Sequence, residues 1–356
     1  MKLKQIIFIA SIALLIFALS CEEKKINDPL RHEAFKKAIT LKGEEINLNS
    51  SMLNEPSGMI IIDPFLIIDD PDNNYLLTLI DLRNQKVIKR FLKKGRGPKE
   101  CVVIDLYKHK ERKFYAYGKS LHKLLIFNLD SLLNNENYSP AVYKLNDNGN
   151  FISVLAVSES FYIGTGNLKK GRYGILKEGN IKTKYSFPKD KTKYSIKEKS
   201  AAYGSELDIK PDMKKFVSSI NVGGVIEIFS IKHNTINKIK NLHYFYPKYN
   251  IIYAGEGLGH AAQYYTKDNI FGFTDVYTTN NSIYTKYSGK NLIRKKDFYT
   301  LSTGKHILVY DWKGKPKRHY ELDYHVEYIC VNKNETAMYA ITYKPEPKII
   351  KFKLPS

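Results

Sequence analysis

The chain has 356 residues, and its 57 Lys and Arg against 36 Asp and Glu give a formal net charge of +21. A basic surface attracts anions, yet the excess is almost entirely lysine, with eight arginines scattered from Arg31 to Arg318. Ile, Asn and Tyr are abundant too, as AT-rich codon usage produces without selection for binding. Proteins that recognise nucleic acids commonly use the planar guanidinium group of arginine to bind bases and phosphates. The composition therefore argues against nucleic acid and leaves an acidic polysaccharide, lipid headgroups or an acidic protein as candidate partners.

The N-terminal residues have the layout of a bacterial lipoprotein signal. Lys2 and Lys4 precede an apolar run over residues 6–19, which is too short to span a hydrocarbon core of about 30 Å, and Ser20 precedes Cys21. We predict that residues 1–20 are a signal peptide, that the thiol of Cys21 is acylated, and that the product is an outer-membrane lipoprotein on the periplasmic face or the cell surface. The alternatives are an uncleaved anchor helix and a soluble secretory signal with a chance cysteine.

Downstream of the signal the sequence divides into a tether and a single domain. Residues 21–40 are charged and short of apolar side chains, so we interpret them as the lipidated cysteine and a tether. Residues 41–356 carry short runs of period-two alternation, rich in β-branched and aromatic residues and separated by Gly, Asn, Asp and Pro. No sustained apolar repeat of helical period interrupts them. This pattern predicts an all-β domain.

Internal similarity indicates how the strands are grouped. Segments 106–117 and 330–341 share a Glu, an apolar residue and Tyr-Ala at a constant offset of 224, and each is followed by a further strand, at 123–129 and 348–354. Similar apolar strands after polar turns begin at 65, 161, 216 and 270. With 114 and 338 they are spaced by 49, 47, 55, 54 and 68 residues. Repeats of about 50 residues are typical of propeller blades.

We therefore predict a six-bladed β-propeller with four-stranded antiparallel blades, because radial repetition protects strand edges. A loop insertion near 276–300 is expected to account for the long last interval. We expect a strand around Glu44–Leu48 to complete the sixth blade after Leu354 and close the ring. The alternative is a pair of β-sandwiches, which the lack of a Pro/Gly/Ser-rich spacer disfavours.

Besides the acylation site, the chain has two cysteines, Cys101 and Cys330, and both lie in apolar, strand-like runs. Free cysteines in such positions behave as small hydrophobic residues. We expect two buried free thiols, with a disulfide as the alternative in an oxidising compartment. No CxxC pair or Cys/His cluster indicates structural zinc.

A glycine-rich segment between the first two units carries a family resemblance. Gly95, Gly97, Pro98 and Glu100 match the GxGPxE segment of the six-bladed, TolB-like propeller lipoproteins of Bacteroidetes, which this chain resembles over nearly its whole mature length. Members typically have an apolar aromatic residue soon after the Glu, where this chain has Cys101. The resemblance implies the fold and the envelope location, but no catalytic activity, because the family has none that is agreed.

The same segment allows two interpretations. Adjacent glycines expose backbone N–H groups and Arg96 could pair with an oxyanion, which makes Arg96 and Glu100 candidate ligand-binding residues. A glycine that needs a positive φ and a proline that fixes the crossing between blades explain the segment equally well, and we favour this structural interpretation.

Other motifs give weaker candidates. Glu256 and His260 flank alternate glycines in a loop before the fifth unit and form a candidate site pair, although a plain flexible loop is the simpler interpretation. Asp130-Ser131-Leu132 matches a short O-glycosylation pattern of Bacteroidetes secreted proteins and marks Ser131. The histidines show no HxH or HExxH spacing, so we predict no metal, no cofactor and no catalytic residue.

Two functions from different classes remain. The first is a membrane-anchored, non-enzymatic binding or scaffold module for a protein or an anionic glycan, since no acid, base or nucleophile motif converges. The second is a calcium-dependent hydrolase or lyase with its site at the channel mouth, for which Glu100 is one candidate. Three or more carboxylates or amides converging at the axis would favour the second function over binding alone.

Overall fold

The computed structural model describes residues 27–48, 53–147, 150–188, 193–253, 255, 260–264, 269–292, 298–343 and 345–355. Short 3-10 turns at Pro29–Arg31 and Glu33–Phe35 precede two short strands, β1 (Ile39–Leu41) and β2 (Gly43–Glu45). Among the described residues, none of the helices has the length and apolar character needed to cross a bilayer.

Six sheets follow, one for each blade, and each contains four antiparallel strands ordered from the inner to the outer edge. In the fifth blade, β1 adds a further, parallel strand at the outer edge. The first blade contains β3 (Gly58–Ile62), β4 (Phe65–Asp69), β5 (Tyr75–Asp81) and β6 (Lys86–Lys93). The second contains β7 (Ile104–Lys108), β8 (Lys113–Gly118), β9 (Lys123–Asn128) and β10 (Ala141–Lys144), with a 3-10 turn at Lys119–Leu121 and helix α1 (Leu129–Asn134). The third contains β11 (Phe151–Ser158), β12 (Phe161–Gly166), β13 (Tyr173–Lys177) and β14 (Asn180–Lys184).

The second half of the ring is more elaborate. Helix α2 (Ile196–Ala202) precedes the fourth blade, which contains β15 (Ser205–Ile209), β16 (Lys215–Ile220), β17 (Gly224–Lys232) and β18 (Thr235–Phe245). A two-stranded hairpin, β19 (Tyr249–Tyr253) and β20 (His260–Tyr264), separates it from the fifth blade. That blade contains β21 (Phe273–Thr278), β22 (Ile283–Tyr287), β23 (Gly304–Tyr310) and β24 (Pro316–Val326), with helix α3 (Phe298–Ser302) before β23.

The sixth blade closes the ring with the start of the chain. It contains β25 (Tyr328–Val331), β26 (Ala337–Thr342) and β27 (Lys348–Lys353), and β2 pairs antiparallel to β27 as its outer strand. The predicted closing strand around Glu44–Leu48 is therefore confirmed, and so is the number of blades. This pairing satisfies the outer edge of β27, which would otherwise present unpaired backbone groups.

The predicted start of the fifth unit at residue 270 is wrong. Ile270 and Phe271 make only isolated bridges, to Asn291 and Val222, and the strand equivalent to the other markers is β22, which begins at Ile283. An apolar pair after a polar turn looks like a strand in sequence, but here it packs between the fourth and fifth blades. Extra chain lies before the fifth blade, in β19 and β20, as well as between β22 and β23.

Part of the segment that we interpreted as a tether is packed against the fifth blade. β1 pairs parallel to β24, and the Phe35 side chain is only 1% exposed, edge-on to Tyr310 with ring centroids 5.3 Å apart. The Phe35 carbonyl also contacts His319 Nδ1 at 2.8 Å. The packed part of the chain thus begins before Leu41.

The hydrophobic core lies between neighbouring blades and consists of the alternating apolar residues of their middle strands. Stacked rings such as Phe114 on Phe127 and Phe216 on Phe229, with centroids 4.9 and 4.6 Å apart, fill the second and fourth blades. Cys101 and Cys330 are both buried and free, which confirms the expectation of free thiols. Burial raises the pKa of the Cys101 thiol to about 11, so this group behaves as an apolar one.

Candidate functional site

Acidic side chains gather at one end of the central channel, where the inner strands begin. Asp105 is the second residue of β7, Glu206 the second of β15 and Asp275 the third of β21, while Asp69 ends β4. All four line a cavity of about 90 Å³, together with Asp208 deeper in the channel. A cavity of this size has room for several water molecules. We call these four residues the acidic mouth.

Each carboxylate of the acidic mouth is held by neighbouring groups. Ser57 Oγ donates to Asp69 Oδ2 at 2.6 Å, Lys119 Nζ pairs with Asp105 Oδ1 at 2.7 Å, and Asn221 Nδ2 donates to Glu206 Oε1 at 2.9 Å. The backbone N–H groups of Ile329 and Val276 donate to Asp275 at 2.7 and 2.9 Å. Asp105 Oδ2 is shielded from solvent and receives no hydrogen bond from the described part of the chain.

The pKa values of three of these carboxyls are raised, mainly because burial penalises their charged forms. The pKa of Asp69 rises to about 7, with the Ser57 hydrogen bond opposing the rise. The pKa of Asp275 rises to about 7, opposed by Lys286, and that of Asp105 rises to about 6, opposed by Lys119. Glu206 adds to the rise for both Asp105 and Asp275, so the carboxylates repel one another. A cation entering the cavity would relieve this repulsion.

A buried ion pair forms the floor of the cavity. Lys108 Nζ pairs with Asp208 Oδ2 and lies 3.8 Å from the centre of the Tyr277 ring. The same carboxylate oxygen accepts the Thr278 N–H at 2.6 Å, and Asp208 Oδ1 accepts the Ile209 N–H at 2.8 Å. The charge of Asp208 is therefore compensated, whereas at the acidic mouth Asp105 alone has an ion-pair partner among the described residues.

Beyond this floor, a wider pocket of about 440 Å³ opens at the opposite end of the channel. Its lining includes Lys108 and Tyr277 on the side of the floor. The apolar part of the lining consists of Ile61, Ile62 and Val331. Since Asp208 faces the smaller cavity and Lys108 the wider pocket, the ion pair separates the two.

Comparison with known proteins places this architecture in a family. The sequence profile described as TolB-like 6-blade propeller-like matches residues 34–334. This chain belongs to the TolB-like propeller family. No curated protein sequence matches it.

Two solved structures share the fold of this TolB-like propeller. A member of the DUF4221 family from Bacteroides vulgatus ATCC 8482 has 8% identity and a TM-score of 0.55, over 90% of this chain and 97% of that one. A protein described as exported, from Bacteroides fragilis NCTC 9343, has 12% identity and a TM-score of 0.53, over 89% of this chain and 95% of that one. At this identity the similarity concerns the fold alone.

The GxGPxE segment of this TolB-like propeller lies away from the acidic mouth, and its carboxylate is used internally. Glu100 Oε2 accepts the Gly97 N–H at 2.9 Å, and a Cβ on Gly95 would lie 2.2 Å from that oxygen. The two glycines leave room for the close approach of this carboxylate, which a Cβ at either position would displace. The expectation of a positive φ is wrong, since neither is among the positive-φ glycines. Lys123 Nζ donates to the carbonyls of Gly97 and Pro98 at 2.7 and 3.0 Å.

The remaining predicted site residues do not meet at one place. Arg96 is exposed on the same loop as Glu100. Ser131 is exposed on α1, where its N–H is capped by Asn128, and its glycosylation stays a prediction. Cys21 and Glu256 lie outside the described residues. His260 is described only by its backbone, as the first residue of β20 paired with Tyr253.

Sequence reasoning missed the acidic mouth, although it expected carboxylates at the inner strand ends. A usable signal was present, because Asp105, Glu206 and Asp275 each stand between apolar or small residues near the start of the first strand of a unit. Glu100, the candidate named for that position, lies instead in the loop between the first and second blades. The sequence of a short strand does not show by itself whether its acidic side chain points toward the central channel.

Proposed function

We propose that this protein is a lipid-anchored, non-enzymatic binding module whose acidic mouth receives a cationic group of its partner, such as a lysine or arginine side chain. The observation that carries the proposal is the convergence of Asp69, Asp105, Glu206 and Asp275 on one cavity, where the described residues supply one ion-pair partner, Lys119, to the four carboxylates. The chain as a whole has a net charge of +21 and repels cations at long range. Cation binding would therefore depend on the local field of this mouth.

The test is a calorimetric titration of the mature protein with trilysine at 0.15 M salt. We expect the double variant Asp105→Asn/Glu206→Gln to bind roughly thirtyfold more weakly, because each charge about 4 Å from the ligand contributes about 1 kcal/mol even at the dielectric constant of water. Glu136→Gln removes an exposed charge from the connection after α1 and serves as the matched control. Equal affinity for trilysine in both variants would contradict the proposal.

Lipid anchoring is supported by the signal that ends at Cys21 and by the exported relative of similar fold. We expect the full-length protein to sediment with membranes and to incorporate labelled palmitate, and Cys21→Ala to abolish both. Protease treatment of intact cells distinguishes the cell surface from the periplasmic face, because only a surface protein is cleaved. Label retained by Cys21→Ala would place the acyl chain elsewhere.

A second candidate function, a calcium-dependent hydrolase or lyase, is favoured by the same convergence, since more than three carboxylates line the axis. Against it, no three Asp, Glu, His or Cys side chains within the described ranges are arranged to hold a metal ion. Calcium chloride added to the mature protein distinguishes the two. A rise in Tm that Asp275→Asn removes would support a calcium site, whereas an unchanged Tm supports binding of organic cations.

A further inference from the structure

A third pocket lies far from the axis, between the outer parts of the first and second blades. It has a volume of about 410 Å³, within the range of roughly 300–1,000 Å³ that small-molecule sites occupy. Its lining is mostly apolar and includes Phe91, Leu92, Phe127, Leu132 and Tyr138. We call it the blade groove.

The apolar wall of the blade groove is rigidly supported. Phe91 and Phe127 pack edge to face with ring centroids 5.5 Å apart. Lys89 Nζ donates to the Leu132 carbonyl at 2.5 Å and ties α1 to the first blade. The Tyr138 hydroxyl accepts the Asn128 N–H at 2.7 Å, which fixes the segment after α1. The groove is therefore preformed, as expected of a ligand site.

The rim of the blade groove is basic. Lys93 and Lys99 line it directly, and Lys94 and Arg96 are exposed on the same loop. Glu100 is the one acidic side chain in the lining, and its Oε2 already accepts the Gly97 N–H. Residues 93–100 contain four cationic side chains and one carboxylate, so the local charge is positive. The rim therefore favours an anion next to the apolar wall.

We infer that the blade groove binds an amphipathic anion, a single acyl chain whose carboxylate or phosphate head lies on the rim formed by Lys93, Arg96 and Lys99. Apolar walls match the chain, and the surplus of cations matches the head. This site is independent of the acidic mouth, whose charge has the opposite sign. It also gives Arg96 a role, since this residue is exposed on the loop that supplies Lys93 and Lys99 to the lining, and its guanidinium can form paired hydrogen bonds to an oxyanion.

The experiment uses the mature protein and the fluorescent probe dansylaminoundecanoic acid, with its methyl ester as the uncharged counterpart. We expect the acid to bind at least tenfold more tightly than the ester, and Lys93→Glu/Arg96→Glu to remove that preference while leaving ester binding unchanged. Lys170→Glu/Lys182→Glu, at two exposed lysines of the third blade, makes the same charge change and should behave as wild type.

Competition identifies the ligand more closely. Oleate should displace the probe, whereas inorganic phosphate, which has charge but no chain, should not. Equal binding of acid and ester to the wild-type protein would overturn the inference, and so would displacement by phosphate alone. If Lys170→Glu/Lys182→Glu weakened binding as much as Lys93→Glu/Arg96→Glu, only the net charge would matter and the site would be disproved. None of these outcomes depends on the acidic mouth.

Discussion

The acidic mouth and the floor beneath it are built largely from the same inner strands, but their charged side chains have different partners. At the acidic mouth, Asp69, Asp105 and Asp275 have raised pKa values, and one Asp105 oxygen has no hydrogen bond within the described chain. At the floor, Lys108 and Asp208 are paired, and Asp208 also accepts the backbone N–H groups of Thr278 and Ile209. A compensated charge stabilises a structure only if it stays paired, whereas an uncompensated one is available to a ligand. The comparison supports a structural role for the floor and is the basis of the proposal that the mouth binds a cation.

Removing one partner of the floor should give the largest effect. Lys108→Met leaves Asp208 buried without its counter-ion, and we expect a loss of about 3–5 kcal/mol in the free energy of unfolding, measured by urea denaturation at pH 7. The double variant Lys108→Met/Asp208→Asn should recover part of that loss, because no unpaired charge is then buried. If Lys108→Met were neutral, the floor would not be a structural ion pair.

At the mouth, a neutral replacement should instead stabilise the protein. Folding raises the pKa of Asp69 from 3.8 to about 7, so the folded state binds more protons between these values and the charged form is penalised above them. We expect Asp69→Asn to unfold at a higher urea concentration at pH 8, by on the order of 1 kcal/mol, with the gain vanishing as the pH falls toward 4.

Asp81→Asn is a control, because the pKa of Asp81 is shifted in the opposite direction and its replacement should therefore change stability with the opposite sign. The hydrogen bonds from Arg83 lower the pKa of Asp81, so its charged form is favoured in the folded state. Its replacement should destabilise the protein at pH 8 and cost less as the pH falls below 4. Parallel pH profiles for the two variants would contradict the assignment of an uncompensated charge at Asp69.

The smallest expected change in the free energy of unfolding comes from replacing Lys119, and it tests whether this lysine competes with a ligand at the mouth. This lysine is 38% exposed and pairs with Asp105, so Lys119→Met should change the free energy of unfolding by less than about 1 kcal/mol. It should bind trilysine a few-fold more tightly than wild type, since a competing cation is gone. Weaker binding in this variant would mean that Lys119 itself contacts the partner.

The repeat architecture could be predicted because each blade has a local sequence pattern, a polar turn followed by an apolar strand. Turn residues followed by apolar strands located five of the six markers, and the strand near Glu44 was found by asking what would close the ring. The marker at residue 270 failed because Ile270 and Phe271 have the right residue types in an isolated bridge. The GxGPxE segment was recognised, but the reason for its glycines, the close approach of Glu100, needed coordinates.

The sequence by itself determined an all-β chain of six similar units closed by its own N-terminal strand, because alternation, turn chemistry and repeat length act over a few residues. Only the tertiary structure decided that Asp69, Asp105, Glu206 and Asp275, separated by up to 206 positions, share one cavity while Lys108 and Asp208 neutralise each other beneath it. The physical reason is that the burial and the ion pairing of these side chains depend on which strand ends meet at the axis. Which strand ends meet is determined by the closed ring and not by any single blade.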